Sequence, residues 1–229
     1  MKKKSSKRYK KIVETQKDVK PVLIDEAIKM VKVNCNTKFD ESIDVSLKLN
    51  LKQKKEEVNL RTIVNLPNGN GKKVKVAVLC EESKNQEAKD SGAETYGSDN
   101  LVNEITDGKI NFDKLIATPA MMSKMGKLGK ILGPKGLMPN PKLGTVTNDI
   151  KSIVKAVKSG QIEIKNDKDG NLGASIGKKL FDDKKIKDNF NSLIETVIKE
   201  KPSGIKGDFI ISAFLTSTMG ISYKLKLSK

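Results

Sequence analysis

The chain has 229 residues, 45 Lys and Arg against 28 Asp and Glu, a net charge of +17 and no histidine. That length suits one large domain or two ordinary ones, and the charge favours a polyanionic partner, either nucleic acid or an anionic membrane. The missing histidine excludes Ser-His and Cys-His catalysis within the chain and removes the commonest zinc ligand.

Residues 1–20 carry nine basic and two acidic side chains, and no apolar core follows the basic start, so no secretory signal is read there. Two readings of this tail stay open: a disordered solubilising segment, or one that orders on RNA. Ile24, Ala27, Ile28 and Val31 then fall at helical spacing and predict a short helix. Cys35, the first of two cysteines, lies far from Cys80 in no metal-ligand pattern, which fits a reduced, cytosolic compartment. Val45, Leu47, Leu49 and Leu51 alternate with polar residues, as do Val58, Leu60, Thr62, Val64 and Leu66; both stretches read as antiparallel strands with one wet face. The pattern breaks at Pro67-Asn68-Gly69-Asn70-Gly71.

Beyond that break the strands change character. Val74 to Leu79 and Leu115-Ile116-Ala117 are nearly continuous apolar runs, which suit parallel strands covered on both faces. Helical patterns lie around 84–91, 100–107 and 147–158, the last with Thr147 or Asn148 as N-cap and Gly160 as its stop. This alternation reads as a small α/β unit. After Gly160 the first style returns. Ile162 and Ile164 alternate with charged residues, a helix carries Ile186, Phe190, Leu193, Ile194, Val197 and Ile198, and two strands follow. The first has Phe209, Ile211, Ala213 and Leu215 on one face; the second has Ile221, Tyr223, Leu225 and Leu227. The expected architecture is a discontinuous α+β domain, residues 1–68 and 161–229, with an inserted α/β domain, residues 69–160, hinged at two Gly-rich crossings.

Three segments bear on function. Residues 121–147 hold Lys124, Lys127, Lys130, Lys135 and Lys142 with no acidic residue, among five glycines and three prolines. This reads either as a rigid Gly-rich phosphate-contacting loop or as a structural loop with solvated lysines. Residues 81–113 carry nine acidic side chains against three lysines and would repel phosphate. Lys38-Phe39 pairs a cation with an aromatic that could stack on RNA, although the residues alone favour a core Phe closing a strand end. Thr216–Gly220 offers hydroxyls and a glycine, yet alone reads as a simple hairpin turn. Nucleotide motifs fail on context: Gly173 to Lys178 is one residue short of a Walker loop, and Gly69-Asn70-Gly71 precedes a strand instead of following one.

The stretch GPKGLMPNPKLGTVT, Gly133 to Thr147, resembles the signature of the L-one family of ribosomal proteins, the stalk proteins of the large subunit, in its bacterial branch. KRYKKI near the N-terminus, TKFDES at 37–42, LPNGNGKKVKVAV at 66–78, GQIEIKNDKDG at 160–170 and TSTMG at 216–220 are similar to family segments in the same order. The sequence departs from the family with Ser42 for a common Thr, Thr62 for Gly, Asn68 for a frequent His, and a basic stretch at Lys52–Lys55. The resemblance implies a split RNA-binding domain with an inserted Rossmann-like domain. It implies RNA contacts at Lys38, Phe39, Ser42, Asp167, Lys168, Ser212, Thr216, Thr218, Met219 and Gly220, and a signature loop at Gly133, Pro134, Lys135, Gly136, Pro139, Asn140, Pro141 and Lys142. The implied partners are a stem–loop of large-subunit rRNA, exit-site tRNA in transit and the protein's own messenger. The expected protein is cytoplasmic and on the ribosome, monomeric when off it, with no membrane, metal, cofactor or catalytic activity. The competing reading is a nucleotide- or phosphate-using enzyme built on the inserted unit, disfavoured by the absent histidine and the failed motifs.

Overall fold

The computed structural model describes residues 6–14, 20–51, 60–202 and 205–227. Val58 of the expected second strand, the basic stretch 52–55 and tail residues 1–5 and 15–19 lie outside the described residues. In chain order the elements are α1 (Lys7–Glu14), α2 (Ile24–Val33), β1 (Ser42–Leu49), β2 (Arg61–Asn65), β3 (Val76–Leu79), α3 (Asn85–Asp90), β4 (Thr95–Gly97), α4 (Asp99–Thr106), β5 (Lys114–Ala117) and α5 (Met122–Leu132). There follow α6 (Ile150–Lys158), β6 (Gln161–Lys165), β7 (Asn171–Lys178), α7 (Asp183–Lys199), β8 (Ile210–Ser217) and β9 (Tyr223–Leu225). The chain divides into two compact units: residues 1–71 with 162–229, and residues 72–161.

The first unit is α+β. Its main sheet has the order β7-β1-β8-β9, antiparallel throughout, and β2 pairs with β6 in a second, two-stranded sheet. The period-two pattern of β1 sends Ile43, Val45, Leu47 and Leu49 inward, where they meet Ala27, Ile28 and Val31 of α2 and Ile186, Leu193 and Val197 of α7 in one core. Ser42, Asp44, Ser46 and Lys48 take the other face. α7 is buried along Ile186, Phe190, Leu193 and Val197, the stripe its helical spacing predicts. The free edge of β9 is covered by Val22, which bridges Leu225.

Two details correct the sequence reading. Ile211 is exposed, not core: a bulge between Lys48 and Leu49 leaves it as the extra residue of β8, so Ile210 is buried in its place, beside Phe209, which is buried as its pattern predicts. The N-terminal tail is neither structureless nor waiting for RNA over residues 7–14. It forms α1, whose Ile12 is 4% exposed and joins the core.

The second unit is α/β. β4-β3-β5 form a parallel sheet. Ala77 and Leu79 of β3 point toward α4 and α5, while Val76 and Val78 point toward α3 and α6, which explains the unbroken apolar run. Here too the structure differs from expectation. The first half of the Gly-rich stretch is a helix, α5, with Met125, Leu128 and Leu132 buried along one side. The N-cap of α6 is Asp149, whose carboxylate accepts from Ser152 N at 3.2 Å; Thr147 instead accepts from Asp149 N through its hydroxyl.

Candidate nucleic-acid interface

Across the main sheet of the first unit, β1 places its polar side chains in register with mostly polar partners, Ser46 excepted, which lies between Gly173 and Phe214. Ser42, Asp44, Ser46 and Lys48 lie opposite Lys178, Ser175, Gly173 and Asn171 of β7. Asp44, Ser46 and Lys48 lie opposite Thr216, Phe214 and Ser212 of β8. The helices α2 and α7 pack on the inner face, and among the described residues of this unit no helix lies over the hydrophilic one. Six residue steps separate Ser42 from Lys48, a span of about 20 Å.

The expected RNA-contact residues fall at the two ends of this face. At one end, antiparallel pairing of β1 with β8 sets the turn after β8 beside Ser42. Thr218 N donates to Ser42 O (3.1 Å), Ser42 N donates to Thr218 Oγ1 (3.0 Å), and Lys178 Nζ donates to Ser42 Oγ (2.8 Å). Gly220 N donates to Ser217 O and Thr216 Oγ1 to Ile221 O, so the turn is closed by its own groups. Phe39 is 52% exposed and Met219 47%, which removes the reading of Phe39 as a core residue. Lys38 is exposed in the same loop as Phe39.

Glu41, absent from the sequence-derived site, joins the two segments. It is fully buried. Its Oε2 accepts from Ser217 Oγ (2.8 Å) and Met219 N (3.1 Å), and its Oε1 accepts from Thr37 Oγ1 (2.8 Å) and Thr37 N (3.3 Å). Burial pushes the Glu41 carboxyl up, but the donors from Ser217, Met219 and Thr37 together outweigh it and hold the group below the usual carboxylate range. A signal for it exists in the sequence: Glu41 shares the parity of Ile43 and Val45 and so faces the core.

Arg8 of α1 also reaches this end. Its Nη2 donates to Met219 O at 2.9 Å, while Nη1 is buried without a hydrogen-bond partner. Arg8→Ala should free the Met219 carbonyl and weaken RNA binding by about tenfold, the usual consequence of losing one charge-assisted bond. Fluorescence titration of the variant against a stem–loop RNA checks this.

At the other end stands the hairpin turn between β6 and β7. Asp167 organises it: Oδ1 accepts from Asn171 N (2.6 Å) and Oδ2 from Asn171 Nδ2 (2.8 Å). These bonds hold the Asp167 carboxyl below its usual range. Both oxygens are thus engaged in shaping the turn that exposes Lys168 at its tip. Lys48 Nζ donates to Asp169 O (2.6 Å), and Ser212 lies opposite Lys48, so this group closes the far end of the same face. Ser46, Asp167, Asn171 and Gly173 line an open groove of about 480 Å³ there, with Lys165 at its side. Ser46, Lys48, Gly173 and Phe214 connect the two ends; the strand alternation marks them, but no motif does.

The signature loop lies in the second unit. Gly133 ends α5 where any Cβ would stand 2.6 Å from Gly129 O, and Gly136 takes φ +68°. Asn140 holds the following turn, accepting from Lys142 N (2.9 Å) and donating its own N to Thr145 Oγ1 (2.8 Å). Pro139 is buried, whereas Pro134, Lys135, Pro141 and Lys142 are exposed. Lys124 pairs with Asp99 at 2.6 Å in an exposed position, a contact of small energetic weight. Among the described residues no three His, Cys, Asp or Glu side chains gather so as to hold a metal ion.

A sequence model of the ribosomal protein L1p/L10e family matches residues 31–221. The chain is 58% identical over 225 residues to the large ribosomal subunit protein uL1 of Pelagibacter ubique (strain HTCC1062), covering 98% of both chains. It is 47% identical over 222 residues to that of Rickettsia akari (strain Hartford), 96% of this chain and 93% of the relative. It is also 47% identical over 226 residues to that of Kosmotoga olearia (strain ATCC BAA-1733 / DSM 21960 / TBF 19.5.1), 99% and 98% of the two. The chain belongs to the ribosomal protein L1p/L10e family.

Proposed function

We propose that this protein is a structural, non-enzymatic constituent of the large ribosomal subunit that binds a stem–loop of large-subunit rRNA through the open sheet face of its first unit. The observation that carries the reading is the closed turn at 218–220 beside exposed Phe39, at one end of a polar face over which no described helix of this unit lies. The N–H groups of Thr218, Met219 and Gly220 are all used inside the protein. The turn therefore offers RNA carbonyl acceptors, apolar surface and the remaining lone pair of the Thr218 hydroxyl, which accepts from Ser42 N at 3.0 Å and lies 3.4 Å from Ser42 O, while phosphate is met by lysines such as Lys38 and Lys168. In this reading the complex is the mobile stalk that assists release of deacylated tRNA from the exit site. The same face binds the protein's own messenger and represses its translation. Lys127, Lys130, Lys135 and Lys142, exposed on the second unit, meet the tRNA backbone in passing.

Titration of a stem–loop RNA across a salt series tests this. Log affinity should fall linearly and steeply with log salt, one increment for each phosphate contact. Thr218→Ala should weaken binding by about five- to hundredfold at every salt concentration without changing the slope, because it removes a hydroxyl and no charge. A flat salt response, or wild-type affinity in the Thr218 variant, overturns the assignment.

A further inference from the structure

We propose that Glu41 is the positioning residue of the RNA-binding end: from beneath the surface it locks the 218–220 turn to the loop that carries Phe39, so that the two meet RNA already assembled. The inference rests on the RNA-binding reading of this face and adds to it a residue that RNA does not touch.

The argument begins with charge. A carboxylate beneath a surface that meets phosphate has the wrong sign for attraction. Burying it also costs free energy unless it is fully hydrogen-bonded. Glu41 is fully hydrogen-bonded, and its four donors divide evenly: two from Thr37, in the loop before β1, and two from Ser217 and Met219, at the end of β8. The two segments are about 180 residues apart in sequence, and this side chain spans them. Thr37 Oγ1 also lies 3.1 Å from Phe39 O, so the hydroxyl that Glu41 engages sits against the backbone of the exposed aromatic residue. Without the carboxylate, Met219 N–H would be an inward donor with no acceptor, and the turn could satisfy it only by rotating outward, taking the Thr218 hydroxyl with it.

The donors from Ser217, Met219 and Thr37 maintain the ionised form against the cost of burial. Lys179 N donates to the Glu41 backbone carbonyl, and the Lys179 ammonium donates to Cys35 O at 2.6 Å. Arg8 holds the outer side of the turn through Met219 O. Asp40 and the Cys35 thiol are the other titratable groups facing this pocket; burial of Cys35 is the first cause that pushes its thiol up, and the Glu41 charge adds to that, so the thiol stays neutral.

The test uses the full chain and a stem–loop RNA. Glu41→Gln keeps the shape but presents an N–H₂ to either Met219 N–H or Thr37 N–H, and RNA affinity should fall about ten- to hundredfold with an unchanged salt slope. Ser217→Ala removes one donor from a side chain only 3% exposed, and should weaken binding several-fold, roughly the effect of one hydrogen bond. Amide signals of the free protein provide a readout that a merely structural role would not move. Those of Met219 and Thr37 should titrate together below the usual carboxylate range in wild type and lose that step in Glu41→Gln. Hydrogen exchange at Met219 should be faster in both variants. If wild type does not bind the RNA, the functional reading itself fails. If wild type binds and Thr218→Ala binds weakly, but Glu41→Gln with a native melt binds as wild type, the positioning role is overturned and the site stands. Should Glu41→Gln not fold, Ser217→Ala decides: unchanged affinity and unchanged Met219 exchange overturn the proposal.

Discussion

Asn189→Leu should lower the stability of the first unit by about 3 kcal/mol, the largest loss expected from any single polar side chain outside the RNA-binding end. Asn189 is fully buried in the middle of α7, where a leucine would satisfy the helical stripe better. Its amide performs three tasks that leucine cannot. Nδ2 donates to Ile176 O (2.7 Å) and to Gly69 O (2.8 Å), and Oδ1 accepts from Asn68 N (3.1 Å). Ile176 is the extra residue of a bulge: β1 pairs Ile43 with Gly177 and Asp44 with Ser175, so Ile176 has no ladder partner. Asn68 and Gly69 belong to the turn by which the chain leaves this unit. One side chain therefore satisfies a bulge and anchors a chain exit. Urea or thermal unfolding followed by circular dichroism should show a fall in melting temperature on the order of 10 °C for this unit. Asn191→Leu, two residues on and exposed, should stay within about 0.5 kcal/mol of wild type. Equal effects of the two substitutions would show that helix propensity, not the buried amide, governs this position.

Ile176 illustrates where the sequence was opaque. Where one physical signal dominates, the pattern reads correctly: the alternation of β1 and β9, the stripes of α2 and α7, and the continuous apolar runs of β3 and β5 each follow from burial on one face or two. The failures are places where a second effect cancels the first. β7 contains Gly173 and Gly177, which draw attention to a phosphate loop; as a strand its inward residues are Leu172 and Ile176, with a bulge that shifts the period. In α5, Gly126 and Gly129 depress helix propensity, and the buried Met125, Leu128 and Leu132 at i, i+3 and i+7 override it. α1 buries Ile12 alone, and β4 has only three residues, too few for any period to show.

The site divides in the same way. Phe39 and the 216–220 turn carry no periodic signal, and the residues alone are explained as well by ordinary structure; only resemblance to a family singles them out. Their proximity follows from the pairing of β1 with β8, which alternation predicts in kind but not in register. Asp167 and Lys168 lie by register at the opposite end of β1, together with Ser212. Glu41 and Arg8 act through contacts more than 170 residues away in sequence, beyond any local pattern.

Gly220→Ala should weaken RNA binding by about tenfold or more, and Gly220→Val by about a hundredfold or more, for a reason that lies inside the protein. The resemblance alone suggests that glycine is needed so that backbone can approach RNA. The geometry gives another cause. A Cβ at Gly220 would stand 2.4 Å from Ser217 Oγ, nearer than non-bonded atoms are found, and the glycine does not occupy the left-handed region, so backbone conformation is no obstacle. Ser217 cannot simply swing aside, because its hydroxyl donates to Glu41 Oε2. Either that bond breaks or the turn moves, and both displace Thr218 and Met219. A stability loss of about 1–3 kcal/mol should accompany the loss of affinity. The two explanations separate in a double-mutant cycle. If the clash with Ser217 is the cause, Ser217→Ala removes the obstructing atom, and the next nearest, Ser217 Cβ at 3.6 Å, is an ordinary contact. Adding Gly220→Ala to Ser217→Ala should then cost little beyond Ser217→Ala alone, a strongly non-additive result. If RNA needs the bare backbone, the methyl group obstructs it whether or not the hydroxyl is present, and the two losses add.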